Sequence, residues 1–351
     1  MKIKILYIYP NMNIGGAQKV VVDLINNIND SDFEIYLACS GGQYLDLIDK
    51  DVKVILIDFD KKNFYKSIWQ IRKLIKDKEI DIIHSHHRYT TALSNFAKIN
   101  TKTKVIHSEH STFKSKNFIN LRGKNIIAVS EGVRKNLIDN GIKARNIELI
   151  YNGIEEEEYL NVKIVNLKKQ LNINFFTFGF IGRLSEEKGI IYMLEAFNNL
   201  IKKGIKCNLI IIGDGKLREE IESYIKNNKL SENIFLIGFR NDIKNIIKSL
   251  DMYILPSLVE GFPITNMEIM INSRTVIATN VGGNKEIIDD GINGFIIEPK
   301  NVKELEDTIH YVLKNVNILN SLNKNAKNKV LKKFTMSEMK RKHIDYYKTL
   351  I

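Results

Sequence analysis

Glu260 and Glu268 stand eight positions apart in Glu260-Gly261-Phe262-Pro263-Ile264-Thr265-Asn266-Met267-Glu268, just after an apolar run ending at Leu255-Pro256. The first carboxylate falls in a loop, the second about one turn into the helix that follows. Gly261 lets the backbone pass close to a ligand, and the open N–H groups of a helix start suit phosphate or hydroxyl oxygens. A carboxylate inside such a helix can accept both hydroxyls of a ribose diol. Arg183 and Lys188 flank a second loop, Gly182-Arg183-Leu184-Ser185-Glu186-Glu187-Lys188-Gly189, again between an apolar run and a helix. Two cations beside a helix start can hold a diphosphate and absorb the charge that develops as it leaves. Taken singly, the same residues are ordinary surface charges.

Other chemistry is weaker or excluded. Asn13-Ile14-Gly15-Gly16-Ala17-Gln18-Lys19 follows the first apolar run and enters a helix. It is an anion-binding turn or a plain tight turn, and it is neither G-x-G-x-x-G nor a P-loop. Gly213-Asp214-Gly215 continues Lys-Leu-Arg where a dinucleotide fingerprint needs its third glycine. His84, His86, His87, His107 and His110 gather at two run ends, with only Glu109 beside them and no cysteine, so no metal centre is expected. Asp58-Phe59-Asp60 imitates a metal-binding D-x-D but reads as a solvated loop. No Ser-His-Asp nucleophile set is visible.

These residues need a scaffold that presents loop after loop at one edge. Short β-branched runs at 3–9, 33–38, 52–57, 80–84, 104–107, 125–129 and 147–150 alternate with amphipathic stretches such as 17–27 and 67–78. A second series follows at 176–181, 207–212, 234–237, 252–255, 275–279 and 294–297, with helical stretches at 190–202 and 216–228. Strand–helix alternation implies parallel sheets covered by helices on both faces, and two series imply two doubly wound domains. The polar stretch 155–174 marks the break. A length of 351 residues agrees with two domains. Cys39 and Cys207 are too few and too distant for a disulfide framework. The apolar start is shorter than a signal-peptide core and no run reaches a membrane span, so a cytoplasmic protein is expected.

The formal charge of +12 is unevenly placed. Residues 61–145 carry nineteen Lys and Arg against six Asp and Glu, and residues 314–351 carry ten against two, so the rest of the chain is acidic. Such asymmetry suits an anionic partner, although a Lys-, Ile- and Asn-rich composition also coats proteins with solvated lysines. Zinc-finger spacing, RNA-binding aromatics and basic heptad helices are all missing, so nucleic acid is not expected. A membrane surface fits better. In 111–124, Phe113, Phe118, Ile119 and Leu121 interleave with Lys114, Lys116, Arg122 and Lys124, the composition of an interfacial segment or of a partly buried loop.

In their order these motifs resemble the retaining glycosyltransferases of family 4, which have the GT-B fold. Gly15-Gly16 is similar to that family's N-terminal glycine loop. Asp81-Ile82-Ile83-His84-Ser85-His86 and His107-Ser108-Glu109-His110 resemble its histidine-bearing strand ends. Ala128-Val129-Ser130, Tyr151-Asn152-Gly153-Ile154, Gly182-Arg183…Lys188-Gly189, Gly213-Asp214-Gly215, the E-x7-E stretch to Glu268 and Val281-Gly282-Gly283…Glu286-Ile287 follow in register. Glu268-Ile269-Met270 departs from the usual Glu-Ala-Met, and Asn272-Ser273-Arg274-Thr275 from the usual Gly-x-Pro turn.

The resemblance implies an acceptor-binding Rossmann-like domain over 1–165, a donor-binding one over 166–336, and a C-terminal helix, 337–351, packing back on the first. It implies a nucleotide-sugar in a cleft between them. Arg183, Lys188 and the backbone at Gly16 would hold the diphosphate, with Gly15 shaping the turn, and Glu268 the ribose. Glu260, Gly261, Pro263 and the backbone of Phe262, Ile264 and Thr265 would meet sugar and distal phosphate. Gly238, Phe239 and Arg240 would read the base, and His110 would sit under the transferred sugar. His84, His86, Lys114, Lys116 and Arg122 are candidates for the acceptor side. The implied activity is transfer from a UDP-linked sugar, without a metal or other cofactor, to a saccharide or lipid-linked acceptor, with the enzyme peripheral at the inner membrane face. A nucleotide-sugar epimerase and a non-catalytic GT-B binding protein are the competing readings. The intact Arg183, Lys188, Glu260 and Glu268 speak against the last.

Overall fold

The structure is a computed structural model that describes residues 2–28, 32–112, 125–160 and 162–351. Lys114, Lys116 and Arg122 lie outside the described residues. Strands β1 (Ile3–Ile8), β2 (Phe33–Cys39), β3 (Lys53–Leu56), β4 (Ile82–Ser85), β5 (Lys104–Glu109), β6 (Ile126–Ala128) and β7 (Ile147–Leu149) form a sheet in the order β3-β2-β1-β4-β5-β6-β7. Strands β8 (Thr177–Ile181), β9 (Asn208–Ile212), β10 (Ile234–Gly238), β11 (Met252–Leu255), β12 (Val276–Thr279) and β13 (Phe295–Ile297) form a second, in the order β10-β9-β8-β11-β12-β13. Every described pairing is parallel. Helices on both faces leave central strands no wet side, which is why β9 reads Asn-Leu-Ile-Ile-Ile and is buried throughout.

Both sheets share the doubly wound pattern in which strand order reverses beside the first strand, at β1/β4 and at β8/β11. Loops leaving adjacent strands there diverge to opposite faces, and the carboxyl ends form a crevice suited to ligands.

The chain divides into two compact units, Met1–Ile154 with Thr335–Ile351, and Glu155–Phe334. The boundary therefore falls before residue 165, the end expected from sequence. Residues just past 154 are tied to the second sheet: Val165 N–H donates to the Asn245 carbonyl at 3.0 Å, and the Lys168 ammonium to Asp251 at 2.7 Å. The final helix, Met336–Lys348, is capped by Thr335, whose hydroxyl accepts from Glu338 N–H. Met336 N–H donates to the Ile154 carbonyl at 2.9 Å, and Tyr347 inside the helix is fully buried.

Candidate active site

In the C-terminal unit, β8 runs into the loop that carries Arg183, a short turn Glu186–Lys188, and helix Ile190–Lys202. The Lys188 ammonium donates to Glu260 Oε1 at 2.6 Å, and Ser257 Oγ donates to the same oxygen at 2.6 Å. Residues 72 positions apart thus meet where strand order reverses. Arg183 is exposed; its carbonyl accepts Ser185 N–H at 3.0 Å, and among the described residues its guanidinium has no hydrogen bond or ion pair. The loops are locked by backbone. Leu258 N–H donates to the Glu187 carbonyl at 2.7 Å, and Leu184 N–H to the Asp214 carbonyl at 2.9 Å. A Cβ on Gly213 would lie 1.9 Å from the Gly182 carbonyl oxygen, and one on Gly282, at φ +54°, 2.3 Å from that of Glu260. Only glycine permits both approaches.

Helix Ile264–Ile271 starts after Pro263 without a side-chain cap, leaving the first-turn amides of Ile264 and Thr265 open. Phe262 is buried against Phe334, ring centroids 5.2 Å apart, so its side chain serves the core. Glu268 lies one turn in, half-buried, and accepts the Tyr159 hydroxyl at 2.7 Å. β10 ends at Gly238, at φ +78°, and Phe239 beyond it is 53% exposed. The Arg240 guanidinium forks onto Asp242 at 2.7 and 2.6 Å, which leaves backbone as the free element there.

The N-terminal unit differs. Gly16 opens helix Gly16–Ile28 with nothing within 4 Å of a would-be Cβ, whereas Gly15 lies against Gln18. At the end of β4, His84 is fully buried; its Nδ1 is hydrogen-bonded to the Tyr347 hydroxyl at 2.6 Å and its Nε2 to Ser108 Oγ at 2.7 Å. The Tyr347 and Tyr7 hydroxyls share a further bond of 2.8 Å. With both nitrogens taken, His84 has no ring nitrogen left to offer an acceptor directly. His86 lies against it, ring centroids 4.1 Å apart and planes tilted by 31°, and its Nδ1 meets His110 Nε2 at 2.9 Å. Burial also keeps His86 from direct acceptor contact.

His86 Nε2 is buried and, among the described residues, has no hydrogen-bond partner. A buried N–H without an acceptor is rarer than a buried lone pair without a donor. The proton therefore belongs on His86 Nδ1, which donates to His110 Nε2. This fixes His110 as the Nδ1–H tautomer and leaves that N–H uncommitted among the described residues. Burial pushes His84 and His86 well below the usual imidazole range, and His110 and His343 down to about 4. Next to them, burial would raise the Glu109 carboxyl, but His107 and Arg88 outweigh it and hold it at about 2. The Arg88 bond to Glu109 is 2.7 Å. Among the described residues no three His, Cys, Asp or Glu side chains form a metal-holding group.

Tyr7, Tyr347, Ser108, Tyr159 and Ser257 complete these sites and were not singled out from sequence. The one local signal is that His343 and Tyr347 lie one helical turn apart and share a face.

Two doubly wound units, with a cation–carboxylate pair at one switch point and a histidine cluster at the other, have the two-sheet organisation of the GT-B architecture. The glycosyl transferases group 1 family matches residues 164–329, and glycosyltransferase family 4 matches residues 14–158. The uncharacterized glycosyltransferase MJ1178 of Methanocaldococcus jannaschii is 30% identical over 90% of this chain and 89% of its own. The UDP-Gal:alpha-D-GlcNAc-diphosphoundecaprenol alpha-1,3-galactosyltransferase of Escherichia coli is 28% identical over 99% of this chain and 97% of its own. The crystal structure of Anabaena Alr3699/HepE in complex with UDP, 20% identical, superposes with a TM-score of 0.87 over 99% of this chain and all of that one. The chain belongs to the group 1, family 4 glycosyltransferases.

Proposed function

We propose that this enzyme is a retaining hexosyltransferase that moves a sugar from a UDP-sugar to a saccharide or lipid-linked saccharide acceptor in surface polysaccharide or glycolipid synthesis. The observation that carries the reading is the Lys188–Glu260 pair, set with exposed Arg183 and the uncapped helix Ile264–Ile271 at the β8/β11 strand ends. The E. coli relative, named for a UDP-Gal donor and a lipid-diphosphate acceptor, and UDP in the Anabaena structure support the nucleotide and the acceptor class.

In this reading Arg183, Lys188 and the open amides hold the diphosphate, Glu268 takes the ribose hydroxyls, and backbone at 238–240 reads the base. Neutral His110 donates to a sugar hydroxyl. The bond from the anomeric carbon to the diphosphate oxygen breaks while the acceptor oxygen adds on the same face. The leaving oxygen takes the acceptor proton, so configuration is retained without an enzymic nucleophile. The protein supplies position and charge stabilisation. The two cations and helix amides carry the leaving charge, so no metal is invoked.

UDP release from a panel of UDP- and GDP-sugars tests this, with EDTA and with Glu268→Ala. Slow release from one donor, lost in the variant and indifferent to EDTA, is the expected result. Failure of UDP to bind in calorimetry would overturn the reading.

A further inference from the structure

A surface helix normally turns apolar residues inward and polar ones outward. Helix Phe64–Lys78 obeys on its inner face, where Ile71 and Ile75 are buried in the core and Phe64, Ile68 and Leu74 pack against it. Its outer face does not. Tyr65 is 75% exposed and Trp69, one turn on, 61% exposed. Lys66, Lys73 and Lys76 are exposed beside them, and the Lys73 ammonium stands 5.6 Å from the centre of the Trp69 ring.

The patch continues at the end of helix Arg88–Ala97, with Phe96 in its last turn 60% exposed and Ile99 just past it 52% exposed. Arg72 ties the two parts together by donating to the Ala97 and Ile99 carbonyls at 2.9 and 2.6 Å. The nearest carboxylates on the helix are Asp77 and Glu79 at its far end, and Glu79 is paired with Lys4 at 2.9 Å. Asp77, exposed one turn past Lys73, is the acid at the edge of a face otherwise built of aromatics and cations.

A second copy of the chain would press these cations against each other, which opposes docking. An anionic lipid surface complements every element: the rings lie at headgroup depth and the ammonium groups meet phosphates. We infer that Tyr65, Trp69, Phe96 and Ile99, framed by these lysines, dock the N-terminal unit on an anionic membrane surface. The surface is built of residues outside the stretch 111–124, and the inference rests on the proposed lipid-linked acceptor, since a water-soluble acceptor gives such a face no use.

Trp69 is the only tryptophan in the chain, so its emission reports on this face alone. Phosphatidylglycerol vesicles should shift that emission to shorter wavelength, while phosphatidylcholine vesicles should not. Tyr65→Ser with Phe96→Ser should weaken vesicle partitioning about ten-fold, and each lysine changed to Ser about five-fold. Unchanged emission with anionic vesicles overturns the inference, as does a shift that grows with protein concentration in their absence. UDP release in vesicle-free samples keeps the two readings apart. A shift without turnover of any donor sinks the transferase reading and keeps the docking face; turnover without a shift does the reverse.

Discussion

The two sheets have the same strand order through their first six strands, yet their switch points hold opposite chemistry. In the C-terminal unit the ends of β8 and β11 carry charge: Lys188 against Glu260, with Arg183 exposed. In the N-terminal unit the ends of β4 and β5 carry the neutral histidines His84, His86 and His110 beside Tyr7 and Tyr347, and the charge there, on buried Glu109, is already matched by Arg88 at 2.7 Å. Burying a charge requires a partner, whereas a neutral imidazole needs only hydrogen bonds in the right directions. The shared fold supplies loops at strand ends, and side-chain choice makes one end fit for an anion and the other for neutral hydroxyls. The contrast can be broken at either end.

The largest effect is expected at Lys188. In Lys188→Ala the developing charge on the diphosphate loses a preorganised donor, and kcat should fall about 10²- to 10³-fold. Steady-state kinetics with the preferred UDP-sugar would show it. A loss below about ten-fold would mean that the pair does not face the leaving group.

Acid should discriminate between the units. Histidines in an unfolded chain bind a proton near pH 6.5, whereas folded His110 and His343 do so at about 4. The unfolded state therefore binds more protons between those values, and stability falls as pH drops below about 6.5. His110 and His343 each contribute about 1.4 kcal/mol per pH unit, and His84 and His86, also pushed well below the imidazole range, add to the same loss, so at least about 3 kcal/mol is lost by pH 5.5. The C-terminal unit contains one histidine, His310. Hydrogen exchange at pH 7 and 5.5 should show the N-terminal sheet losing protection first. Uniform loss across both sheets would contradict the assignment.

What could be read from the chain follows the same physics. The strands stood out because parallel strands buried on both faces are continuous apolar runs, and even the exposed edge strand Lys53–Leu56 kept its Val-Ile-Leu core of β-formers; only the ends moved, as where 104–107 became Lys104–Glu109. Helix Arg88–Ala97 was not legible. Its buried face is Thr90, Thr91 and Ser94, whose hydroxyls bond to carbonyls one turn back, with Ser94 Oγ to Thr90 at 2.7 Å and Thr91 Oγ1 to His87 at 3.1 Å. Leu93 and Ala97 are buried beside them, too few apolar residues for a hydrophobic period to register. Glu260, Glu268, Arg183 and Lys188 were visible as motifs, but the ion pair between two of them was not. The bond from His84 to Tyr347 spans 263 residues, and no local pattern encodes such a distance.

His86 gives a finer test of the neutral end. It acts as a positioning residue that holds His110 in the Nδ1–H tautomer. His86→Phe should lower kcat about ten-fold, the value of one hydrogen bond, with KM little changed. His86→Gln keeps a donor and should recover most of the rate. Nitrogen chemical shifts of His110 check the tautomer directly: protonation at Nε2 in the wild type would overturn the assignment.

The smallest effect belongs to Tyr159, which lies in the stretch where sequence suggested only a break between domains. Its hydroxyl donates to Glu268 at 2.7 Å, so a residue from that stretch orients the carboxylate proposed to hold the ribose. Tyr159→Phe removes one hydrogen bond to a half-buried carboxylate and leaves the ring. The expected result is a rise in KM of about five-fold at unchanged kcat, because the ribose is bound alike in ground and transition states. A fall in kcat instead would mean that Glu268 aligns the reacting bond as well as the nucleoside. The charged end would then depend on exact positioning as much as the histidine end does, and the contrast between the units would narrow to charge alone.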